Sequence, residues 1–343
     1  MEDKRTLIIY QMFKETEVTD FFLDHGVTHD KNVDYVFVIN TPDFKVEPFG
    51  FSPSEKFMNT CESISAKVLY RENKGTDFGG YSCVVDKYLK TGLLDSYDFF
   101  IFMNQTMIGP LLPHWSNNLF HWSSIFTNLI NETDKLAGVT INCVIDREIE
   151  GKRVDSMGLE LPLYSLTPEG KIYAPHVQTQ LFVMDKVSLG LAVNAGIFDY
   201  ENVVEDKGHI IVGKEVRLSE VMLQNNYNIA SIQGYSQGID FRMGNFNEAW
   251  DNPWGTIKKK VWRKTADDVG GMENIPFAGT LIESADQSRE YFYKTVFMKS
   301  ARGWGKESRR LNKNFISNFS KNERLGLTWS GHLGQSPRRK RGR

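Results

Sequence analysis

Cysteine is scarce in this sequence: Cys61, Cys83 and Cys143 are the only three in 343 residues. Their number is odd and none are closely spaced, so no disulfide framework or zinc motif can be read from them. Long apolar runs are lacking too. No stretch approaches the ~18 residues of a membrane-spanning helix. The opening Met-Glu-Asp-Lys-Arg has none of the apolar core of a signal peptide. These absences lead us to expect no transmembrane segment and a reducing, cytoplasmic setting. A dominant charge is also missing. The formal net charge is −2, which leaves no global attraction to nucleic acid or acidic lipid, and no nucleic-acid partner is expected.

The charge balance breaks only at the end, in Ser336-Pro337-Arg338-Arg339-Lys340-Arg341-Gly342-Arg343, where five of eight residues are basic. Residues 331–343 read as a solvated, disordered tail, with contact to anionic surfaces or a nuclear-address role as its other uses. The rest of the composition is that of a globular protein. With 41% hydrophobic residues, a chain of this length can bury a core without staples.

Short apolar runs at 6–10, 35–39, 66–70, 99–103, 138–144 and 181–184 read as buried strands, bounded by polar residues. Continuous apolar runs fit strands covered on both faces, as in a largely parallel sheet. Helical patterns lie between them. Thr16 opens one that carries Val18, Phe21 and Phe22 and stops at Gly26. Ser52-Pro53-Ser54-Glu55 has the form of a capping box with proline at the first helical position, leading into Phe57, Cys61 and Ile64. Further apolar stripes run through Val84, Val85, Tyr88 and Leu89; through Leu119, Trp122, Phe126, Leu129 and Ile130; and through Leu218, Val221 and Met222.

Strand and helix alternate over the first ~110 residues, as in a Rossmann-like half. Beyond Ile239 the texture changes to a loop-rich extension, with one helix expected near 288–299. The expected organisation is a catalytic domain over 1–240, with a nucleotide-binding half to about 115 and an acceptor half over 116–240. An extension over 241–330 and the basic tail follow.

Ligands of such sheets bind beyond the carboxyl ends of the strands. Three segments there could carry chemistry. Asn73-Lys74-Gly75-Thr76-Asp77-Phe78-Gly79-Gly80 follows a strand and opens a helix. Its glycines permit close backbone approach, and a helix start offers N–H groups and a positive dipole end to a diphosphate. The plain alternative is that Asp77 only caps the helix. Asn104-Gln105-Thr106-Met107-Ile108-Gly109-Pro110 ends a buried strand in polar side chains, or is simply a polar turn. Glu215, expected in the first turn of a helix, is either stabilised there by the dipole or is a general base for a sugar hydroxyl.

In this order the segments resemble inverting GT-A glycosyltransferases. They look closest to the rhamnan-synthesis-like families of bacterial polysaccharide clusters and large algal viruses, and more distantly to family 2 glycosyltransferases. The resemblance rests on Asn73-Lys74-Gly75-Thr76-Asp77-Phe78-Gly79 and on Asn104 through Pro110. Pro175-His176-Val177-Gln178-Thr179-Gln180 and Glu215-Val216-Arg217-Leu218-Ser219 add to it. It implies an α/β GT-A-like fold, with a mixed, mostly parallel sheet flanked by helices.

It also implies a nucleotide-sugar donor, a glycan acceptor and a single displacement at the anomeric carbon. Glu215 would be the base. Tyr10, Asn73, Gly75, Asp77, Asn104 and Thr106 would hold the nucleotide-sugar, and His176 and Gln178 would line the acceptor or donor-sugar side. Mn²⁺ or Mg²⁺ would come with the family. Gln105 stands where the family shows Asp, so Asn104-Gln105-Thr106 offers no carboxylate to such an ion. Arg71, Lys74, Lys299 and Arg302 are alternative cations for a leaving diphosphate.

Two other classes stay open. One is a protein of this fold that binds nucleotide-sugar or glycan without catalysis. The other is a Rossmann-type methyltransferase, which would place its glycine turn after the first strand rather than the third apolar run. A nucleotidyltransferase would need a basic, glycine-rich loop where Gln11-Met12-Phe13-Lys14 stands.

Overall fold

The computed structural model describes residues 4–41, 53–112, 119–145, 147–149, 152–154, 173–232, 238–243, 296–300 and 306–324. The chain folds into two compact units. One runs through Met1–Lys14, His29–Gln105 and Ser123–Asn274, the other through Glu15–Thr28, Thr106–Trp122 and Ile275–Arg343.

In the first unit, β1 (Thr6–Met12), β2 (Val33–Thr41), β3 (Lys67–Glu72) and β4 (Phe99–Asn104) alternate with α2 (Glu55–Ser63) and α3 (Thr76–Lys90). Helix α1 (Glu17–His25) and strand β5 (Met107–Ile108) belong to the second unit. The first unit continues through α4 (Ser124–Thr127), β6 (Asp134–Gly138), β7 (Ile141–Ile145), β8 (Arg147–Ile149), β9 (Lys152–Val154), β10 (Tyr173–Val177) and β11 (Leu181–Asp185). Then come α5 (Lys186–Asn194) and one helical run made of α6 (Lys207–Ile210), a π-helical stretch Ile211–Val216, and α7 (Arg217–Gln224). Strand β12 (Asn228–Ser231) follows.

Seven strands form one sheet in the order β12-β6-β11-β4-β1-β2-β3. Counted along the chain this is 3-2-1-4-6-5-7 read from β3, and only β11 runs against its neighbours. The fold is therefore of the expected α/β kind, with a mixed, mostly parallel sheet flanked by helices. Strands β7 and β10 pair as a separate antiparallel ribbon, as do β8 and β9.

Every residue of β1 and β4 is buried, which is why these strands read as unbroken apolar runs. One face carries Leu7, Ile9, Val36, Val38, Phe100 and Phe102 into a core with Tyr81, Val84, Val85 and Tyr88 of α3. Leu189 of α5 and Leu218, Val221 and Met222 of α7 complete that core. Phe57 of α2 meets Phe37 of β2 edge-on, with ring centroids 5.1 Å apart.

Four local expectations change. The run at 138–144 is not one strand: β6 ends at Gly138 and β7 begins at Ile141. A Cβ at Gly138 would meet the Leu181 carbonyl oxygen at 2.9 Å, so the bend keeps the backbones close. The stripe from Leu119 to Ile130 holds only the single turn α4, and Leu119 is exposed. The chain passes from one unit to the other at Trp122–Ser123, so Trp122 and Phe126 belong to different units. Helix α2 is capped by Ser54, whose hydroxyl accepts from the Phe57 N–H at 3.1 Å, and it starts at Glu55 rather than at Pro53. Met298–Lys299, placed in a late helix by the pattern, is a strand, β13. Residues 288–295, 244–255 and the basic tail lie outside the described residues.

In the second unit α1 is bounded by Thr16 and Gly26 as expected, and the Gly26 N–H closes on the Phe22 carbonyl. It packs against a long helix that sequence periodicity did not single out, α8 (Lys306–Arg324). Val18, Phe21, Ile108, Leu111, Phe315 and Phe319 form this unit's core, and β5 pairs antiparallel with β13. The Trp122 indole N–H donates to the Gly26 carbonyl at 2.7 Å. Among the described residues no helix is long and apolar enough to cross a membrane.

Candidate active site

The parallel register aligns the carboxyl ends of the first four strands. Gln11 of β1 lies against Val38 of β2 and Asn104 of β4, and Asn40 of β2 lies against Arg71 of β3. Helix α3 starts at this rim. Its N-cap, Gly75, is left-handed at φ 67°, and a Cβ there would fall 2.2 Å from Val203 Cγ1. A Cβ at Gly79 would lie 2.0 Å from the Lys74 carbonyl oxygen, and one at Gly80 2.5 Å from Gln11 Cγ. These glycines therefore seat the first turn of α3 on the ends of β1 and β3. No side chain caps the helix N–H groups at Gly75.

Asp77 is the second residue of α3, not its cap, and is half-buried. Its Oδ2 accepts a hydrogen bond from Asn104 Nδ2 at 2.6 Å, so the two leading sequence segments meet side chain to side chain. Asn104 is 2% exposed, and its main-chain N–H donates to the Gln180 carbonyl at 3.0 Å. The rest of the polar triplet goes elsewhere. Gln105 is buried, and its Oε1 accepts from the main-chain N–H groups of Phe13 and Lys14 where β1 ends. Thr106 opens the second unit, where its carbonyl accepts from the Ser300 N–H at 2.7 Å.

Asn73 is exposed at the β3–α3 turn, and its main-chain N–H donates to the Thr41 carbonyl at 3.0 Å. Lys74 is exposed and paired with Glu72 at 3.0 Å. Arg71 is buried; it donates to Asn40 Oδ1 at 2.9 Å and to the Lys74 carbonyl at 2.7 Å. Its guanidinium also lies over the Tyr200 ring, 5.9 Å from the centroid. The Lys299 side chain and Arg302 fall outside the described residues.

Glu215 lies in the π-helical stretch, eight positions after the helical run starts at Lys207. It is therefore not in a first turn. The start of the run is capped by Asp206, which accepts from the His209 N–H at 2.9 Å. Dipole stabilisation at a helix start does not account for Glu215; a π-bulge is a frequent feature of functional sites. Its Oε2 accepts from the Thr179 hydroxyl at 3.0 Å, and its Oε1 stands 3.9 Å from His176 Nε2. The Ser219 hydroxyl accepts from the Val177 N–H at 2.9 Å and ties β10 to α7, which holds the residues following β10 beside Glu215. Gln178 is buried, with its Oε1 accepting from the Thr140 hydroxyl at 2.6 Å. Tyr10 is fully buried in β1, its ring 5.6 Å from Phe37.

Two residues of this region escaped the sequence reading. Thr179 stands inside the quoted His-x-Gln-Thr segment and is the direct partner of Glu215. Tyr81 sits in α3 immediately after Gly80, but its spacing matched a plain core stripe. It is fully buried, and its hydroxyl donates to the Thr179 carbonyl at 3.4 Å. Burial holds its pKa well above the usual tyrosine value, and the carboxylates of Asp77 and Glu215 add to that. Tyr81 is thus a neutral phenol within electrostatic reach of both carboxylates. Its ring packs on Phe102 and Phe182, at 5.3 and 5.8 Å.

Among the described residues no group of three or more His, Cys, Asp or Glu side chains comes together in a form that could hold a metal ion. At the strand ends the donors are Asp77, already bonded to Asn104, Glu72, already paired with Lys74, and a glutamine whose oxygen is committed to backbone. Mn²⁺ and Mg²⁺ favour several oxygen ligands with anionic charge. This donor set does not fit either ion, and no step below is routed through one.

No protein-family model matches this chain, and no curated protein matches it. Among solved structures it is similar to apo-form glycosyltransferase GlyE of Streptococcus pneumoniae TIGR4, at 9% identity and TM-score 0.35, over 95% of this chain and 64% of that one. It is similar to a glycosyltransferase involved in the glycosylation of the major capsid of PBCV-1, at 10% identity and TM-score 0.24, over 58% of this chain and 67% of that one. It is also similar to 4-diphosphocytidyl-2C-methyl-D-erythritol synthase, at 15% identity and TM-score 0.33, over 69% of this chain and 93% of that one. The chain spans less than two thirds of the length of GlyE. At these scores no residue role is carried over from any of the three.

Proposed function

We propose that this protein is a glycosyltransferase that moves a sugar from a nucleotide-sugar donor to a glycan acceptor, inverting the anomeric centre in one displacement. The observation that carries this reading is the half-buried Glu215 carboxylate, fixed by the Thr179 hydroxyl and flanked by His176, with Tyr81 within reach of both it and the Asp77–Asn104 pair.

In this reading the acceptor hydroxyl attacks the anomeric carbon while Glu215 takes its proton, since a sugar hydroxyl is too weak an acid to ionise unaided. The bond from that carbon to the donor diphosphate breaks, and the electron pair leaves with the diphosphate. The uncapped start of α3 faces that developing charge with N–H groups and a positive dipole end. Asp77, oriented by Asn104, accepts from ribose hydroxyls, with Asn73 and Gly75 on the nucleotide side. His176 holds Glu215 in place, and Gln178 stiffens the strand end on the sugar side.

The test is a panel of UDP-, GDP- and dTDP-sugars, with and without Mn²⁺, read as hydrolysis and as transfer. Glu215→Gln is expected to bind the nucleotide as wild type does and to lose turnover, with an inverted product from the wild type. Retention of configuration would remove Glu215 from the role of base. The committed oxygen of Gln105 favours a second reading, a binding protein of the same fold. That reading prevails if no donor turns over and Glu215→Gln leaves binding intact.

A further inference from the structure

Helix α8 has two faces of opposite character. Phe315 and Phe319 are buried in the core of the second unit. Lys306, Arg309, Arg310 and Lys313 stand at i, i+3, i+4 and i+7, which places them on one stripe away from those rings. All four are exposed, and with Asn314 they line a surface depression of about 340 Å³. Among the described residues, Lys306, Arg309 and Lys313 have no ion-pair partner. Lys321 and Arg324 recur at the same phase of the helix.

The segment 306–324 has six basic residues against two acidic, in a chain whose net charge is −2. The segment therefore carries a local excess of four positive charges, six basic less two acidic. A second basic cluster, Arg338, Arg339, Lys340, Arg341 and Arg343, follows it in the sequence.

We propose that the Lys306–Arg309–Arg310–Lys313 face docks on an anionic lipid bilayer. The four cations span roughly 11 Å of helix, a compact cluster that suits laterally mobile phosphate headgroups. The apolar face is spent in the core, so the contact is electrostatic and reversible, not an insertion. A nucleic acid is the poorer fit. The stripe has no aromatic side chain to stack on a base. The proposal is independent of the glycosyltransferase reading.

The experiment is sedimentation of the full chain with vesicles of phosphatidylcholine alone and with vesicles containing roughly 30% phosphatidylglycerol. The expected result is binding to the anionic vesicles alone, released by salt. Arg309→Gln with Lys313→Gln should lower the partition coefficient roughly thirtyfold, while Arg309→Lys with Lys313→Arg retains it. The loss should persist when the five basic residues of the terminal cluster are neutralised in both proteins. Equal binding to neutral vesicles overturns the proposal, as does an unchanged partition of the glutamine variant. Capture by duplex DNA without vesicle binding also overturns it.

Discussion

Asn104 donates its side-chain amide to the Asp77 carboxylate at 2.6 Å, joining the end of β4 to the first turn of α3. Replacing the donor with a second acid tests what the pair lacks. In Asn104→Asp two carboxylates face each other, which without a cation destabilises the fold by about 1–2 kcal/mol at pH 8. Mn²⁺ should reverse that loss. Thermal melts with and without Mn²⁺ check it, and a variant indifferent to the ion would show that the rim has no room for one.

Glu215→Gln separates chemistry from structure. The glutamine still accepts from the Thr179 hydroxyl, so the melting temperature should stay within a few degrees. Turnover should fall by roughly 10²–10⁴. A fall in stability matching the fall in rate would point to a structural role for Glu215.

Tyr81→Phe keeps the ring that packs on Phe102 and Phe182 and removes the hydroxyl that meets the Thr179 carbonyl. The cost in stability should be about 1 kcal/mol. The rate should drop with little change in nucleotide affinity, because Thr179 then holds Glu215 less firmly. Steady-state kinetics and nucleotide titration separate the two effects.

Glu220 gives a pH dependence. It is 2% exposed in α7, and burial pushes its carboxyl up to about 7, against the pull of the Arg217 guanidinium beside it. A raised carboxyl favours the protonated fold. Its contribution is present in full below the unfolded value near 4.5 and is lost as pH rises through about 7. Glu220→Gln keeps an acceptor for Gln224 and carries no charge. It should match wild type at pH 4–5 and exceed it by about 1–3 kcal/mol at pH 8. Denaturant melts at the two pH values decide it.

Gly79→Ala places a methyl 2.0 Å from the Lys74 carbonyl oxygen, a backbone atom that cannot swing aside. A loss of about 2–3 kcal/mol is expected. Nucleotide should bind more weakly as well, since the same turn carries Asp77.

Much of the sheet was legible in the sequence because β1, β2 and β4 are buried on both faces and so read as continuous apolar runs. Strand β6 was not, since it starts with the charged, half-buried Asp134 and Lys135. Helix α8 was hidden because its few apolar residues are scattered among charges. The glycines and Asp77 marked a turn worth inspecting, but a turn residue looks the same whether it caps a helix or binds a ligand.

The sequence by itself determined the alternating α/β order and the residues at the strand ends, since both follow from local apolar period and turn chemistry. Only the tertiary structure decided which of those residues meet. Register brought Asn104 onto Asp77, and the β10–α7 contact brought Thr179 and His176 onto Glu215. It also turned Gln105 onto backbone and brought the phenol of Tyr81 within electrostatic reach of both acidic groups. Such pairings join positions dozens of residues apart, and no local period in the chain encodes them.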